Sequence, residues 1–157
     1  MARDTTSVKV VARNRKARFE YEILDTYEAG LELTGSEVKS LRAGEVSIEE
    51  AFVHPVGGEL FVYNMYIAPY AHAGWGLPDA RRRRKLLLHR RQIRSISSRL
   101  ERRGTACILL SLYFKRGWAK AEIALVQHRS RRDKRQRIKE REARREMERY
   151  LKRRLRR

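Results

Sequence analysis

Two long apolar runs, residues 105–115 and 118–126, are separated only by Arg116 and Gly117. A two-residue connection that contains glycine, placed between strand-like runs, is typical of a β-hairpin. Alternation predicts that Ala106, Ile108, Leu110, Leu112 and Phe114 share one face of the first strand. Ala119, Ala121, Ile123 and Leu125 are expected to share a face of the second. The end of the apolar part of the chain is therefore predicted to be antiparallel β-structure.

The same period of two predicts further strands upstream. Phe19, Tyr21 and Ile23 alternate with acidic residues, and the apolar pattern resumes at residues 31–33 after a turn predicted at Glu28-Ala29-Gly30. Residues 51–56 and 60–67 flank Gly57-Gly58 and predict a second hairpin. The valines of residues 8–11 suggest an edge strand. The aromatic residues assigned to the core are Phe19, Phe52, Phe61, Tyr63 and Phe114.

Short helices are expected between these strands. Thr34 and Glu37 have the spacing of a capping box, and Gly44 can end the helix that follows. Residues 84–103 repeat apolar side chains at helical spacing, whereas the proline and glycine residues of 68–80, around Trp75, predict a loop. The fold class is therefore mainly β, a six-stranded antiparallel OB-like barrel with two or three short helices. A β-sandwich is the alternative.

Charge separates a tail from this barrel. The chain has 38 Lys and Arg residues against 19 acidic ones, a net charge of +19, and residues 131–157 carry 15 basic and 5 acidic side chains. We expect a flexible segment at 1–13, the barrel at 14–128 and a basic tail at 129–157. Self-repulsion predicts a tail that is disordered alone and becomes helical when phosphates neutralise it.

Such a charge indicates a polyanionic partner, most often a nucleic acid. A membrane surface is the rival, but the sequence has no lipidation motif and no apolar run of spanning length. The single cysteine, Cys107, lies in an apolar run, and no hydrophobic signal region is evident at the start of the sequence. We therefore expect a monomeric protein of the cytoplasm with no membrane partner.

Catalysis is not indicated. The sequence contains no glycine-rich phosphate loop, metal-ligand spacing or nucleophile motif, and its four histidines fall in separate predicted elements. We expect no catalytic residues, no metal and no cofactor. An RNA-cleaving enzyme remains an open alternative, because distant histidines can converge in a fold.

The binding candidates are basic runs and neighbouring aromatic residues. Arg81 to Lys85, which includes Arg84, is either a phosphate-binding run or a solvated face. Tyr113 and Trp118 flank the hairpin that contains Lys115, and their rings either stack on unpaired bases or fill the core.

Six segments, in order and with matching spacing, resemble the small protein B family, the tmRNA-binding (SsrA-binding) proteins of bacteria. They are Asn14-Arg15-Lys16-Ala17, Glu28-Ala29-Gly30-Leu31-Glu32-Leu33, Gly35-Ser36-Glu37-Val38-Lys39-Ser40-Leu41-Arg42-Ala43-Gly44, Arg84-Lys85-Leu86-Leu87-Leu88-His89, Leu112-Tyr113-Phe114-Lys115-Arg116-Gly117 and Asp133-Lys134-Arg135.

The resemblance implies an OB-like adaptor that binds the tRNA-like domain of tmRNA. Such an adaptor delivers tmRNA, with elongation factor Tu and GTP, to ribosomes stalled without a stop codon. Its tail would fold in the empty mRNA channel near the decoding centre. A structural ribosomal protein, which also combines a small β domain with a basic tail, is the alternative from another class.

The resemblance also assigns residues. Matching motifs imply RNA contacts at Asn14, Arg15, Lys16, Glu28, Lys39, Arg42, Lys85, Leu87, His89 and Lys120. A carboxylate at Glu28 would accept hydrogen bonds from RNA or from a neighbouring cation, and the alternative is a turn residue that binds backbone amides. The tail residues expected to contact the ribosome are Asp133, Lys134, Arg135, Ile138, Lys139, Arg141, Arg144 and Arg145. His128-Arg129-Ser130 replaces the family's Gly-Lys-Lys, which leaves the exit angle of the tail open.

Overall fold

The computed structural model describes residues 8–71, 76–129 and 131–155, with the backbone alone at 131–134. The elements in chain order are β1 (Val8–Arg13), α1 (Ala17–Glu20), β2 (Tyr21–Leu31), α2 (Gly35–Arg42), β3 (Val46–Ser47), β4 (Phe52–Val56), β5 (Glu59–Tyr63), β6 (Tyr66–Ile67), β7 (Arg84–Leu87), α3 (Arg90–Leu100), β8 (Thr105–Lys115), β9 (Trp118–His128) and α4 (Arg131–Leu155). The expectations for residues 1–7, for Trp75 in its loop and for Ser130 lie outside the described residues.

The strands close into a barrel. Hydrogen bonds join β8, β4, β5, β7, β2 and β9 in that order, and β9 pairs again with β8. All of these pairings are antiparallel. Among the described residues, α1, α2 and α3 are the short helices. The predicted six-stranded antiparallel barrel is therefore confirmed. β3 and β6 form a separate small sheet.

β1 joins the same sheet at its edge. Val8 lies opposite Lys115 and Arg13 opposite Ser111, so that β1 follows the second half of β8. The predicted edge strand is therefore confirmed. Residues 8–13, predicted as part of a flexible segment, are instead paired β-structure.

The predicted hairpin at Gly57-Gly58 is confirmed between β4 and β5. The two glycines have φ values of 57° and 79°, as a tight turn requires.

The barrel interior is filled by inward side chains from all around the ring. Fully buried residues include Leu41, Leu60, Leu86, Ile96, Leu109, Leu112, Ile123 and Leu125. Helix α3 contributes Ile93 and Ile96 to this core.

The face assignment of β8 was wrong. The register of β8 against β9 shifts between Leu109 and Ser111. A bulge adds one residue to the strand and exchanges its faces, so strict alternation fails across it. Ile108 and Leu110 consequently pack with Ala17, Ala124 and Val126 in a second apolar cluster outside the main core.

The turn predicted at Glu28-Ala29-Gly30 was also wrong. These residues lie within the continuous strand β2, and Gly30 pairs with Leu87 of β7. A Cβ atom at Gly30 would lie 3.1 Å from the Leu87 Cβ atom. The glycine is thus explained by the close approach of two strands.

Two aromatic assignments need correction. Phe19 lies on α1 with 40% of its side chain exposed, and Phe52 is 45% exposed on the outer side of β4. Phe61 and Tyr63 are only half-buried, whereas Phe114 belongs to the core as predicted. The alternation that includes Phe19 therefore begins in a helical turn and becomes a strand at Tyr21.

The helix predicted from residue 84 begins later. Residues 84–87 form β7, in which Arg84 and Leu86 are buried while Lys85 and Leu87 face outward. His89 is the N-cap of α3, and its backbone N–H donates to the Gln92 side-chain oxygen at 3.3 Å. Leu86 fits both the helical and the alternating pattern of apolar residues, so the sequence did not distinguish a strand from a helix at residues 84–87.

Helix α2 is held by a buried ion pair. The predicted capping box is present, since Thr34 N–H donates to Glu37 Oε1 at 3.0 Å. Arg84 Nε donates to Glu37 Oε2 at 2.5 Å, and Arg82 also binds the same carboxylate. Arg84, which is fully buried, further donates to the carbonyls of Met65 at 2.6 Å and Ala80 at 3.1 Å.

The charge of Glu37 is stabilised by these contacts. Burial alone raises the pKa of Glu37, but hydrogen bonds from Arg82, the Thr34 amide and Arg84 outweigh burial and hold the pKa below its ordinary value. A carboxylate with a lowered pKa stabilises the fold above its unfolded pKa. This contribution is lost as the pH falls through the pKa of the folded state.

The tail is one helix, α4, and its described side chains from Arg135 to Leu155 are exposed. Its disorder in isolation stays a prediction. No helix in the described part of the chain combines the length and apolarity needed to cross a membrane.

Replacing Glu37 with Gln should leave the Arg84 cation buried beside an uncharged amide. We expect the free energy of unfolding to fall by about 3–5 kcal/mol, measured by urea denaturation. The matched control is Glu59→Gln, which breaks the exposed 3.9 Å ion pair with Lys85 and should cost less than about 1 kcal/mol. Equal losses in the two variants would contradict the structural role of the buried pair.

Candidate nucleic-acid interface

Three open grooves on the barrel contain most of the predicted binding residues. The first, which we call the N-terminal groove, has a volume of about 570 Å³ and lies between β1, the residues before α1, and β8. It is lined by Val8, Val10, Arg13, Asn14, Arg15, Arg18, Glu28, Leu110, Ser111, Tyr113, Lys115 and Glu122.

The second groove, the β7 groove, has a volume of about 560 Å³ and continues from the first across Glu28. It forms where β2, β7 and the start of α3 meet. Its lining consists of Glu28, Gly30, Glu59, Lys85, Leu86, Leu87, Leu88, His89, Arg90, Gln92, Ile93 and Lys120.

The third groove, the Trp118 groove, has a volume of about 410 Å³ and shares Gly30, Leu87 and Lys120 with the β7 groove. Trp118 borders it with 73% of its side chain exposed. Because each groove shares residues with the next, the three form one continuous surface, which we call the basic face. Its cations are Arg13, Arg15, Arg18, Lys85, Arg90, Lys115 and Lys120, and its carboxylates are Glu28, Glu59 and Glu122.

Glu28 lies where the N-terminal and β7 grooves meet. The Tyr113 hydroxyl donates to Glu28 Oε2, and Lys115 Nζ lies 3.4 Å from both carboxylate oxygens. The hydrogen bond from Tyr113 is the main cause that lowers the pKa of Glu28, and Lys115 and Lys120 add to it. Glu28 is therefore ionised and held by its neighbours, while remaining exposed enough to accept hydrogen bonds from a ligand.

Tyr113 supports Glu28 more than it offers a stacking surface. Its side chain is only 9% exposed, and burial, followed by the hydrogen bond to Glu28, raises the pKa of its hydroxyl. The hydroxyl therefore stays protonated as a donor. Trp118, in contrast, presents a largely free ring, which fits the stacking alternative.

Several predicted residues border the grooves. Arg42 on α2 places its guanidinium 4.6 Å from the centroid of the Phe114 ring, which lines the Trp118 groove. Lys16 is exposed at the N-cap of α1, next to Arg15. Lys39 does not line these three grooves, and its Nζ atom lies 5.3 Å from the centroid of the Tyr70 ring.

Arg84 was wrongly predicted to bind RNA. Its side chain is fully buried and bound to Glu37, so it cannot reach a phosphate at the surface. Asn14 is also mostly buried, and its side-chain amide donates to the Leu109 carbonyl at 3.3 Å. It lines the N-terminal groove.

Sequence reasoning missed Arg13 and Arg18 as site residues, although both line the N-terminal groove. Both flank the motif of residues 14–17, so their positive charge beside that motif is the sequence feature that could have indicated them as binding residues. Arg90, the first residue of α3, also lines the β7 groove beside His89.

The tail begins with contacts to α1. The Arg129 backbone N–H and its Nη2 atom donate to the carbonyls of Glu20 and Arg18, each at 3.4 Å. The His128 ring lies 4.7 Å from that of Tyr21, between centroids. We call these contacts the tail root. In α4, the predicted residues Arg135, Ile138, Lys139, Arg141, Arg144 and Arg145 are exposed, whereas the side chains of Asp133 and Lys134 lie outside the described set.

Comparison with known proteins identifies the family. An SsrA-binding protein of Synechococcus sp. (strain JA-3-3Ab) is 48% identical over 93% of this chain and 96% of its own length. An SsrA-binding protein of Thermobifida fusca (strain YX) is 50% identical over 93% of this chain and 91% of its own length.

A solved structure described as "tmRNA-SmpB: a journey to the center of the bacterial ribosome" is 45% identical to this chain. The match covers 76% of this chain and 85% of the other, with a TM-score of 0.65. The family model described as "SmpB protein" matches residues 11–153. The chain therefore belongs to the SmpB protein family.

Proposed function

We propose that this chain is a non-catalytic adaptor for ribosome rescue, and that it binds the tRNA-like domain of tmRNA through the basic face. The observation that carries the proposal is the convergence of ten predicted contact residues on one continuous surface. They are Asn14, Arg15, Glu28, Lys85, Leu87, His89, Tyr113, Lys115, Trp118 and Lys120. Relatives named SsrA-binding proteins and the tmRNA-SmpB structure support the same partner.

The chemistry of the basic face suits folded RNA. Its cations neutralise phosphates and release condensed counterions, which provides affinity without sequence preference. Glu28 accepts hydrogen bonds from base or ribose groups, and Trp118 offers a ring to an unpaired base. A combination of phosphate contacts with one fixed acceptor and one ring recognises the shape of a folded RNA.

The tail supplies a separate activity. With the barrel on tmRNA, α4 enters the mRNA channel of a stalled ribosome and contacts it through its exposed basic residues. Asp133, Lys134 and Arg135 begin this contact near the decoding centre. Elongation factor Tu with GTP joins the complex through aminoacylated tmRNA, so no cofactor is needed by the chain itself.

Charge reversal on the basic face should weaken tmRNA binding. We expect Lys120→Glu to lower the affinity for the tRNA-like domain at least about tenfold, or about 1.4 kcal/mol, because it removes a phosphate partner. The measurement is a binding titration at fixed salt. Arg103→Glu, which changes an exposed arginine beyond the grooves, is the matched control and should cost much less.

A binding titration and a tagging assay together distinguish the function of the barrel from that of the tail. Asp133→Ala, or truncation after Ser130, should leave affinity for the tRNA-like domain unchanged and abolish tagging of stalled peptides in a translation assay. Parallel loss of affinity and tagging in the tail variants would contradict the division of function.

The tail root should determine how the tail leaves the barrel. Replacing Arg129 with Gly removes the side-chain contact to Arg18 and loosens the backbone. Spin labels attached at Ser98→Cys and Gln136→Cys would report the distance distribution between α3 and α4. The native Cys107 should not take up the label, because its side chain is buried and burial raises the pKa of its thiol to about 12. We expect a broader distribution in Arg129→Gly than in the parent chain. Indistinguishable distributions would show that the root contacts do not restrain the tail.

A further inference from the structure

A second surface rich in aromatic residues lies on the outer side of β4, β5 and β7. Cross-strand register places Phe52 opposite Tyr63, His54 opposite Phe61, and Phe61 opposite Lys85. The intervening residues of these strands, among them Val53, Val62 and Leu86, fill the core. Phe52, His54, Phe61, Tyr63, Arg83 and Lys85 together form what we call the aromatic sheet face.

The rings of this face are ordered and accessible. Phe52 and Tyr63 stack with centroids 5.5 Å apart and an interplanar angle of 13°, and His54 meets Tyr63 edge-on at 6.4 Å. Phe52 is nevertheless 45% exposed. Cross-strand ring pairs stabilise sheets by themselves, so the rings alone do not identify a ligand.

Positive charge accompanies the rings. The guanidinium of Arg83 lies 4.6 Å from the centroid of the Phe61 ring, and Lys85 borders the same ring through strand pairing. Arg81 lies nearby, 5.4 Å from the Tyr66 ring centroid and hydrogen-bonded to Asn64. Rings interleaved with cations are the combination that binds unpaired nucleotides, because bases stack on rings while phosphates meet the cations.

The aromatic sheet face is continuous with the basic face. Lys85 belongs to both, and Glu59, its 3.9 Å ion-pair partner, lines the β7 groove. An RNA strand that leaves the β7 groove past Lys85 reaches Phe61 next and then the stacked pair of Phe52 and Tyr63.

We propose that the aromatic sheet face binds a short unpaired segment of RNA, with bases stacked on Phe52 and Tyr63 and phosphates on Arg83 and Lys85. This inference rests on the proposed function, since it extends the RNA-binding surface beyond the basic face. The grooves hold the folded part of the RNA, with Trp118 stacking on a base there, and the sheet face holds a further unpaired segment next to it.

The test is photocrosslinking of a hexanucleotide that contains 4-thiouridine to the full-length protein at about 0.15 M salt. Residues 43–81 contain no lysine or arginine before Arg81. Trypsin therefore releases β4, β5 and β6 in one fragment, separate from Trp118 and the tail. We expect this fragment to carry most of the crosslinked nucleotide.

Variants identify the rings responsible. Phe52→Leu keeps an apolar side chain on the strand and removes the ring, so crosslinking of the 43–81 fragment should fall at least fivefold. Arg83→Gln, an exposed change, should lower it about twofold to threefold. Phe19→Leu is the matched control, because Phe19 is 40% exposed on α1, and it should leave the crosslink unchanged.

Crosslinks confined to fragments of the basic face or the tail, or unchanged crosslinking in Phe52→Leu, would overturn the inference. Titration with the tRNA-like domain separates this result from failure of the proposed function. If that domain binds tightly while the 43–81 fragment stays unlabelled, only the sheet-face inference fails. If the fragment is labelled but the domain does not bind, the proposed function fails and the sheet face stands as an RNA-binding surface.

Discussion

The ion pair between Glu37 and Arg84 holds α2 against β7, and both elements contribute residues to the basic face. Arg84 has no exposed surface, so its charge is tolerated only because Glu37 and the carbonyls of Met65 and Ala80 surround it. These contacts join α2, β7 and the segments around Met65 and Ala80. With Arg84 directed inward, alternation along β7 directs Lys85 and Leu87 outward. A buried cation thereby positions an exposed one on the basic face.

The second constraint is the control of negative charge within that face. Glu28 would repel phosphates if it were unsupported, but Tyr113 and Lys115 bind its carboxylate and fix its position. The same carboxylate lies where the N-terminal groove meets the β7 groove. In the proposed function, recognition depends on these few fixed polar groups and affinity on the numerous cations. The tail carries much of the remaining charge on a helix whose described side chains are exposed, which suits a different binding partner from that of the barrel.

Sequence reasoning succeeded where local chemistry determines local structure. The hairpin at Gly57-Gly58, the capping box of Thr34 and Glu37, and the β8–β9 hairpin all depend on neighbouring residues. It failed where the cause lies elsewhere in the fold. The bulge after Leu109 changed the faces of β8. The close approach of Leu87 explains Gly30, which the sequence pattern had assigned to a turn. Arg84 looked like its basic neighbours because its partner, Glu37, lies 47 positions away in the sequence.

We propose that the barrel recognises the shape of one RNA and does not act through charge alone. The most direct measurement is a titration of the intact chain against the tRNA-like domain of tmRNA, in competition with an unrelated folded RNA of equal length. We expect the tRNA-like domain to bind far more tightly at about 0.15 M salt, with the difference persisting as salt rises. Equal affinities that fall together with salt would show that charge alone is responsible and would favour a general ribosomal RNA-binding protein.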